Sequence, residues 1–96
     1  MNPIRKIDIL IEDEILIDRE NIYFQKVILH NDTINEFSHV EDCIMKICYK
    51  TKREAKRIAM EAHSNGKAIC FVGSLEECET VYDGMNAEGL TVTIQS

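Results

Sequence analysis

The stretch from Tyr23 to Phe37, YFQKVILHNDTINEF, constrains the fold more than any other part of the chain. Tyr23, Val27, Ile28 and Leu29 have the β-branched and aromatic composition of a buried strand. That strand ends abruptly in Asn31, Asp32, Thr33 and Asn35, short side chains rich in acceptors, on a loop whose position the strand would fix. Asn-Asp pairs favour turns because their side chains hydrogen-bond backbone a few residues on. A helix must follow at once, so the polar cluster is expected at a strand-to-helix junction.

The remaining segments read as elements that close around this junction. Phe37, Val40, Cys43, Ile44, Ile47 and Cys48 recur at helical spacing and predict a helix from Glu36 to about Tyr49, with Asn35 as N-cap. Thr51 and Glu54 form a capping-box pair that opens a second helix, whose apolar stripe is Ala55, Ile58, Ala59 and Ala62. Asn65-Gly66 ends it, since glycine accepts the left-handed conformation that terminates helices. Ala68 to Val72 reads as a short buried strand. Ser74 and Glu77 make a second capping box, and Leu75, Cys78, Tyr82 and Met85 predict the core face of a third helix. Leu90, Val92 and Ile94 alternate with polar residues, the period of a half-buried strand. The expected fold is an α+β two-layer β-α-α-β-α-β domain, a three-stranded sheet covered on one face by three helices.

Composition enters as a set of exclusions. Ninety-six residues at 45% hydrophobic content suit one domain with a core of its own, and one proline with four glycines leaves no room for an interdomain linker. No apolar run approaches the ~18 residues of a membrane span, and nothing resembles a secretory signal, so a cytoplasmic protein without membrane contact is expected. A net charge of -6 speaks against nucleic-acid binding, which draws its affinity from phosphate neutralisation, and favours cationic partners. Cys43, Cys48, Cys70 and Cys78 fall at apolar positions with spacings that match no zinc pattern, so they read as buried thiols, with no metal and no cofactor implied. Residues 1 to 21 stand apart from the domain at 22–96. Two apolar runs there, Ile7 to Ile11 and Ile15 to Ile17, flank the acidic Glu12, Asp13 and Glu14, which fits extra strands or a docking segment.

The strongest constellation is Asn31, Asp32 and His63. A free α-ammonium carries three donors and a positive charge, and a receptor for it needs convergent acceptors and an anion. Asp32 offers both, Asn31 a neutral carbonyl and neutral His63 one ring nitrogen. On residue types alone the same side chains serve equally as turn formers, with His63 simply near a helix C-terminus.

The segments KVILHND, EAHSNGKAIC (Glu61 to Cys70) and Glu79-Thr80 resemble the ClpS adaptors, with Asn31 to Thr80 matching the family pattern without a gap. The resemblance covers roughly Tyr23 to Ile94 and implies a fold shared with a ribosomal stalk-protein C-terminal domain. It implies a non-enzymatic, monomeric adaptor that binds the free N-terminal residue of a substrate, a bulky hydrophobic N-degron, and delivers it to a Clp AAA+ unfoldase and protease. It assigns Asn31, Asp32 and His63 to the α-amino group, and Asn35, Phe37, Val40, Ala59, Ala62 and Leu90 to the pocket for the first side chain. It places the contact with the unfoldase N-terminal domain at the start of the third helix, where Glu76 matches a contact position and Val81 stands where the family has lysine. The pocket departs from the pattern: Phe37 and Ala59 replace methionine, Ala62 replaces valine, Asn35 stands for threonine and Glu36 for proline. Either a larger gate facing smaller walls reshapes the pocket, or Phe37 fills it, in which case the chain would be a docking regulator that no longer recognises N-degrons.

Two further features carry weaker signals. Lys50, Lys52, Arg53, Lys56 and Arg57 hold five of the eleven basic residues and read first as a solvated helix face. A Cys-His nucleophile would pair His63 with Cys43 or Cys70, but a buried thiol has a raised pKa and little reactivity.

Overall fold

The computed structural model describes residues 24–96; the expected strands or docking segment at 1–21 lie outside the described residues. Three antiparallel strands form one sheet in the order β2-β1-β3. The central strand is β1 (Phe24–His30), flanked by β2 (Lys67–Ser74) and β3 (Val92–Gln95), with helices α1 (Phe37–Ile47), α2 (Lys52–Asn65) and α3 (Leu75–Ala87) completing the order β-α-α-β-α-β. The α+β two-layer architecture expected from the sequence is the one observed.

The core lies between the helices and one face of the sheet. Val27 and Leu29 enter it from β1, Cys43 and Ile44 from α1, and Ala55, Ile58, Ala59 and Ala62 from α2. Full burial of side chains such as Leu29, Ile44 and Ile58 stabilises the fold by about 1.5–3 kcal/mol each. Ile28 is also buried, although it lies outside this cluster, between Ile69 of β2 and Thr93 of β3 in the ladder. A bulge at Val27/Ile28 leaves Cys70 without a partner in the register. One extra residue shifts the side-chain phase of the strand. Ala68 and Cys70 therefore face the core before the bulge, and Phe71 and Gly73 after it.

The helix ends show how local chemistry sets the boundaries. Both capping boxes form: Thr51 Oγ1 accepts from the Glu54 N–H at 3.1 Å while Glu54 Oε1 accepts from the Thr51 N–H at 3.2 Å. Ser74 and Glu77 do the same at 3.1 and 2.9 Å. Helix α1 behaves differently. Its N-cap is Glu36 and no side chain caps it; Asn35 stands one residue earlier, with its amide donating to Asp32 and Gly89, so it is not the cap expected from its type. The helix also stops at Ile47, short of Tyr49, whose φ of 61° lies in the left-handed region.

Helix α3 corrects the predicted core face. Cys78, Val81 and Met85 are buried, Tyr82 packs at the flank, and Leu75 is half exposed. Residues 81 and 82 both satisfy a helical period from Cys78, and the valine takes the inner position. With 3% of its surface exposed, Val81 is a core residue and not part of a docking face. No helix of the described residues is long and apolar enough to cross a membrane.

Helix α2 gives way to β2 at Gly66, where φ is 91° and the N–H bonds to the Ala62 carbonyl at 2.9 Å. A Cβ there would meet no atom within 4 Å, so any cost of substitution is conformational and not steric crowding from neighbours. Gly66→Ala is therefore expected to lower unfolding free energy by about 1–2 kcal/mol in a urea titration, and Thr51→Ala by about 1 kcal/mol through loss of its cap. Unchanged midpoints would show that these helix ends are held by tertiary packing alone.

Candidate functional site

A cleft of about 560 Å³ opens where the end of β1, the loop after it, the start of α1 and the end of α2 meet. Its position follows from two backbone bonds. The His30 N–H donates to the Thr91 carbonyl and the Asn31 N–H to the Gly66 carbonyl, both at 2.9 Å, so the loop is tied on one side to β3 and on the other to the end of α2. His63 lies less than one turn before Gly66. The second bond therefore brings Asn31 and Asp32 to the same cleft as His63, across more than thirty residues of chain.

Asp32 organises the loop. Its Oδ1 accepts from the backbone N–H of Ile34 at 3.0 Å and of Asn35 at 2.9 Å, and its Oδ2 accepts from the Asn35 side-chain amide at 3.0 Å. The Asn35 backbone bond is the leading cause that holds the carboxyl below its usual pKa; partial burial opposes it, and the other two bonds reinforce it. A carboxylate has about four lone-pair directions. Three are occupied by the loop itself, and one on Oδ2 takes no donor from the described residues. The same Asn35 amide group donates to the Gly89 carbonyl at 2.9 Å. Gly89 has φ 84°, the left-handed turn that leads from α3 toward β3. Asn35 thus bridges the loop to that turn and orients Asp32.

Eight of the nine residues named from the sequence as ligand-binding line the cleft: Asn31, Asp32, Asn35, Phe37, Val40, Ala59, Ala62 and His63. Leu90 does not. It is 2% exposed, its N–H bonded to Met85, and it belongs to the core. Leu29, His30, Thr33 and Met60 line the cleft without having been singled out. Met60 was legible in principle, being one helical turn before His63 and next to Ala59, at an apolar position off the stripe that reaches the core. Phe37 stands at the rim with 38% of its surface exposed, and the cavity remains open beside it.

Other features sort outside the cleft. Glu76 is exposed in the first turn of α3, while Val81 is buried. On the basic face of α2, Arg57 pairs with Glu61 at 3.2 Å, one turn along. The histidine beside Cys43 is His39, not His63, with Sγ 3.6 Å from Nε2. Burial pushes the Cys43 thiol up, and the Glu88 carboxylate adds to this, the opposite of what an activated nucleophile needs.

Comparison with known proteins places the chain among relatives of known family. Residues 23–93 match the family model described as ATP-dependent Clp protease adaptor protein ClpS. The chain is 40% identical over 68 residues to the ATP-dependent Clp protease adapter protein ClpS of Synechocystis, an alignment covering 70% of this chain and 69% of that protein. It is 32% identical over 80 residues to the corresponding adapter of Gloeobacter violaceus, covering 82% and 86%. Among solved structures it resembles Agrobacterium tumefaciens ClpS2 bound to L-phenylalaninamide, with a TM-score of 0.70 at 23% identity, over 76% of this chain and 95% of that one. The family match runs from β1 through the loop and all three helices into β3, and the chain belongs to the ClpS family of Clp protease adaptors.

Proposed function

We propose that this protein binds the free N-terminal residue of substrate proteins, with preference for bulky hydrophobic residues, and delivers them to a Clp AAA+ unfoldase. The observation that carries this reading is the shared cleft: an anion with one unused acceptor direction, a neutral amide and an imidazole line the same cavity as Leu29, Val40, Ala59, Ala62 and Phe37. An N-terminal residue presents the matching chemistry, an ammonium next to an apolar side chain. L-phenylalaninamide, the ligand of the solved ClpS2, is such a molecule. In this reading Asn31, Asp32 and neutral His63 accept from the ammonium, and Asn35 positions Asp32. Ala59 and Ala62 leave room for a large side chain, with Phe37 as an aromatic wall and Met60 as an adaptable one. Glu76, exposed at the start of α3, is the residue offered to the unfoldase. The open cavity beside Phe37 favours recognition over the docking-only alternative.

Acetylating the peptide removes the cation and leaves Asp32 without its partner. A Phe-initiated peptide should lose roughly ten- to a hundredfold in affinity on acetylation, the range of a charge-assisted bond of about 1.5–3 kcal/mol, measured by fluorescence anisotropy. Asp32→Asn should bring the free-amine peptide toward the acetylated one. Equal affinity for both forms of the peptide would sink the proposal. The pH dependence has a definite sign. The loop bonds favour the ionised carboxylate, so the Asp32 contribution is present above its usual titration range and is lost only as pH falls through the depressed folded value.

The wall residue gives a second test. Because the cleft is open with Phe37 in place, Phe37→Ala should weaken Phe- and Trp-initiated peptides several-fold, by about 1 kcal/mol of lost aromatic contact. Peptides starting with Ile or Val, branched at Cβ, should bind more weakly than those starting with Leu or Phe. A gain in affinity across all peptides on Phe37→Ala would show instead that this ring occludes the cleft.

A further inference from the structure

Outside the residues that line the cleft, His39, Cys43 and Glu88 bring three ligand atoms of different chemistry within 4.8 Å of one another. Two come from α1 at positions i and i+4, one turn apart on the same face. The third follows α3, at the turn before Gly89. We propose that this cluster is a binding site for a borderline divalent transition metal of the Zn²⁺ class, held by His39 Nε2, Cys43 Sγ and a Glu88 carboxylate oxygen.

Two of the three separations fit such an ion, and the third, from Cys43 Sγ to the Glu88 carboxylate, is within 4.8 Å. Zn–N and Zn–S bonds of about 2.0–2.1 and 2.3 Å at a tetrahedral angle place nitrogen and sulfur about 3.6 Å apart. The observed separation of His39 Nε2 and Cys43 Sγ is 3.6 Å. Nitrogen and oxygen ligands would lie about 3.4 Å apart in the same geometry, and His39 Nε2 is 3.8 Å from Glu88 Oε1. The donor set of thiolate, imidazole and carboxylate suits zinc and its neighbours and not magnesium or calcium.

The protein already gathers the three side chains. His39 Nε2–H donates to the Glu88 backbone carbonyl at 3.0 Å, which keeps the ring beside Glu88 before an ion binds, and the Glu88 N–H bonds to the Met85 carbonyl at 3.1 Å. Cys43 is buried at the inner end of the cluster, while the side chains of His39 and Glu88 are 39% and 53% exposed, which gives an ion a route in from solvent. Binding moves two protons. The Cys43 S–H proton is released to solvent as the S–metal bond forms, and the imidazole proton moves from Nε2 to Nδ1, so that Nε2 gives up its bond to the Glu88 carbonyl and turns its lone pair to the ion. The charges then balance: one divalent cation meets a thiolate and a carboxylate, with a neutral imidazole as third ligand. The fourth position is open and takes water. The spacing of the four cysteines gave no sign of this site, because it uses one cysteine with two ligands of other types, one of them more than forty residues away.

The test is titration of the untagged full chain, freed of metal by chelator, with Co²⁺ as a spectroscopic stand-in. A thiolate-to-cobalt charge-transfer band should saturate at one equivalent, be displaced by one equivalent of Zn²⁺, and be unaffected by excess Mg²⁺. Cys43→Ser should abolish the band. His39→Ala and Glu88→Gln, both at accessible side chains that can be changed without emptying the core, should weaken cobalt binding by at least about tenfold. Absence of the band at stoichiometric cobalt, or parental affinity in any one of the three variants, overturns the three-ligand site.

Discussion

One hydrogen bond, from the Asn31 N–H to the Gly66 carbonyl, joins the two halves of the cleft. It exists because Gly66 adopts a left-handed conformation that an L side chain resists, which turns the end of α2 back into β2. The ladder between β1 and β2 runs to the pair His30 and Lys67, so this bond lies just beyond its last rung. The loop after β1 is therefore an extension of the sheet at its root and irregular only beyond Asn31. That arrangement gives the polar residues of a surface loop the positional definition of a strand, with His63 on the adjoining helical turn.

The cleft and the core share walls. Ala59 and Ala62 are 4% and 3% exposed, belong to the core cluster, and also line the cavity. Larger side chains at these positions would bury more apolar surface, at about 25 cal/mol per Å², but would occupy the space that makes the cleft. The small residues on α2 therefore trade some packing for an opening, and Phe37 and Met60 at the rim keep that opening apolar.

Much of this was legible in the sequence because it rests on local rules. Both capping boxes, the Gly66 stop and the α+β order follow from short spacings and residue chemistry, which also singles out Asn31, Asp32 and His63; the other cleft residues were named only through the family resemblance. What was misread turned on competition between distant partners. Asn35 has the type of an N-cap, but its amide is drawn to Asp32 and Gly89, and a bond to a residue fifty-four positions away leaves no local signature. Val81 and Tyr82 share the helical period, and only packing against the sheet decides that the valine goes inside. Leu90 alternates correctly with Val92 and Ile94, yet it precedes the strand and fills the core below the turn. The grouping of His39 and Cys43 with Glu88 is of the same kind, visible only once α1 and α3 are placed.

The Asn35 bridge also bears on the thermodynamics of recognition. A side chain that must be immobilised on binding costs about 0.5–1.5 kcal/mol of conformational freedom. Asp32 is fixed before any ligand arrives, by two backbone donors and by an amide that is itself anchored to Gly89. The ordering cost of this carboxylate is thus incurred in folding, and in the proposed recognition the ammonium would meet a preorganised acceptor along a single direction of approach.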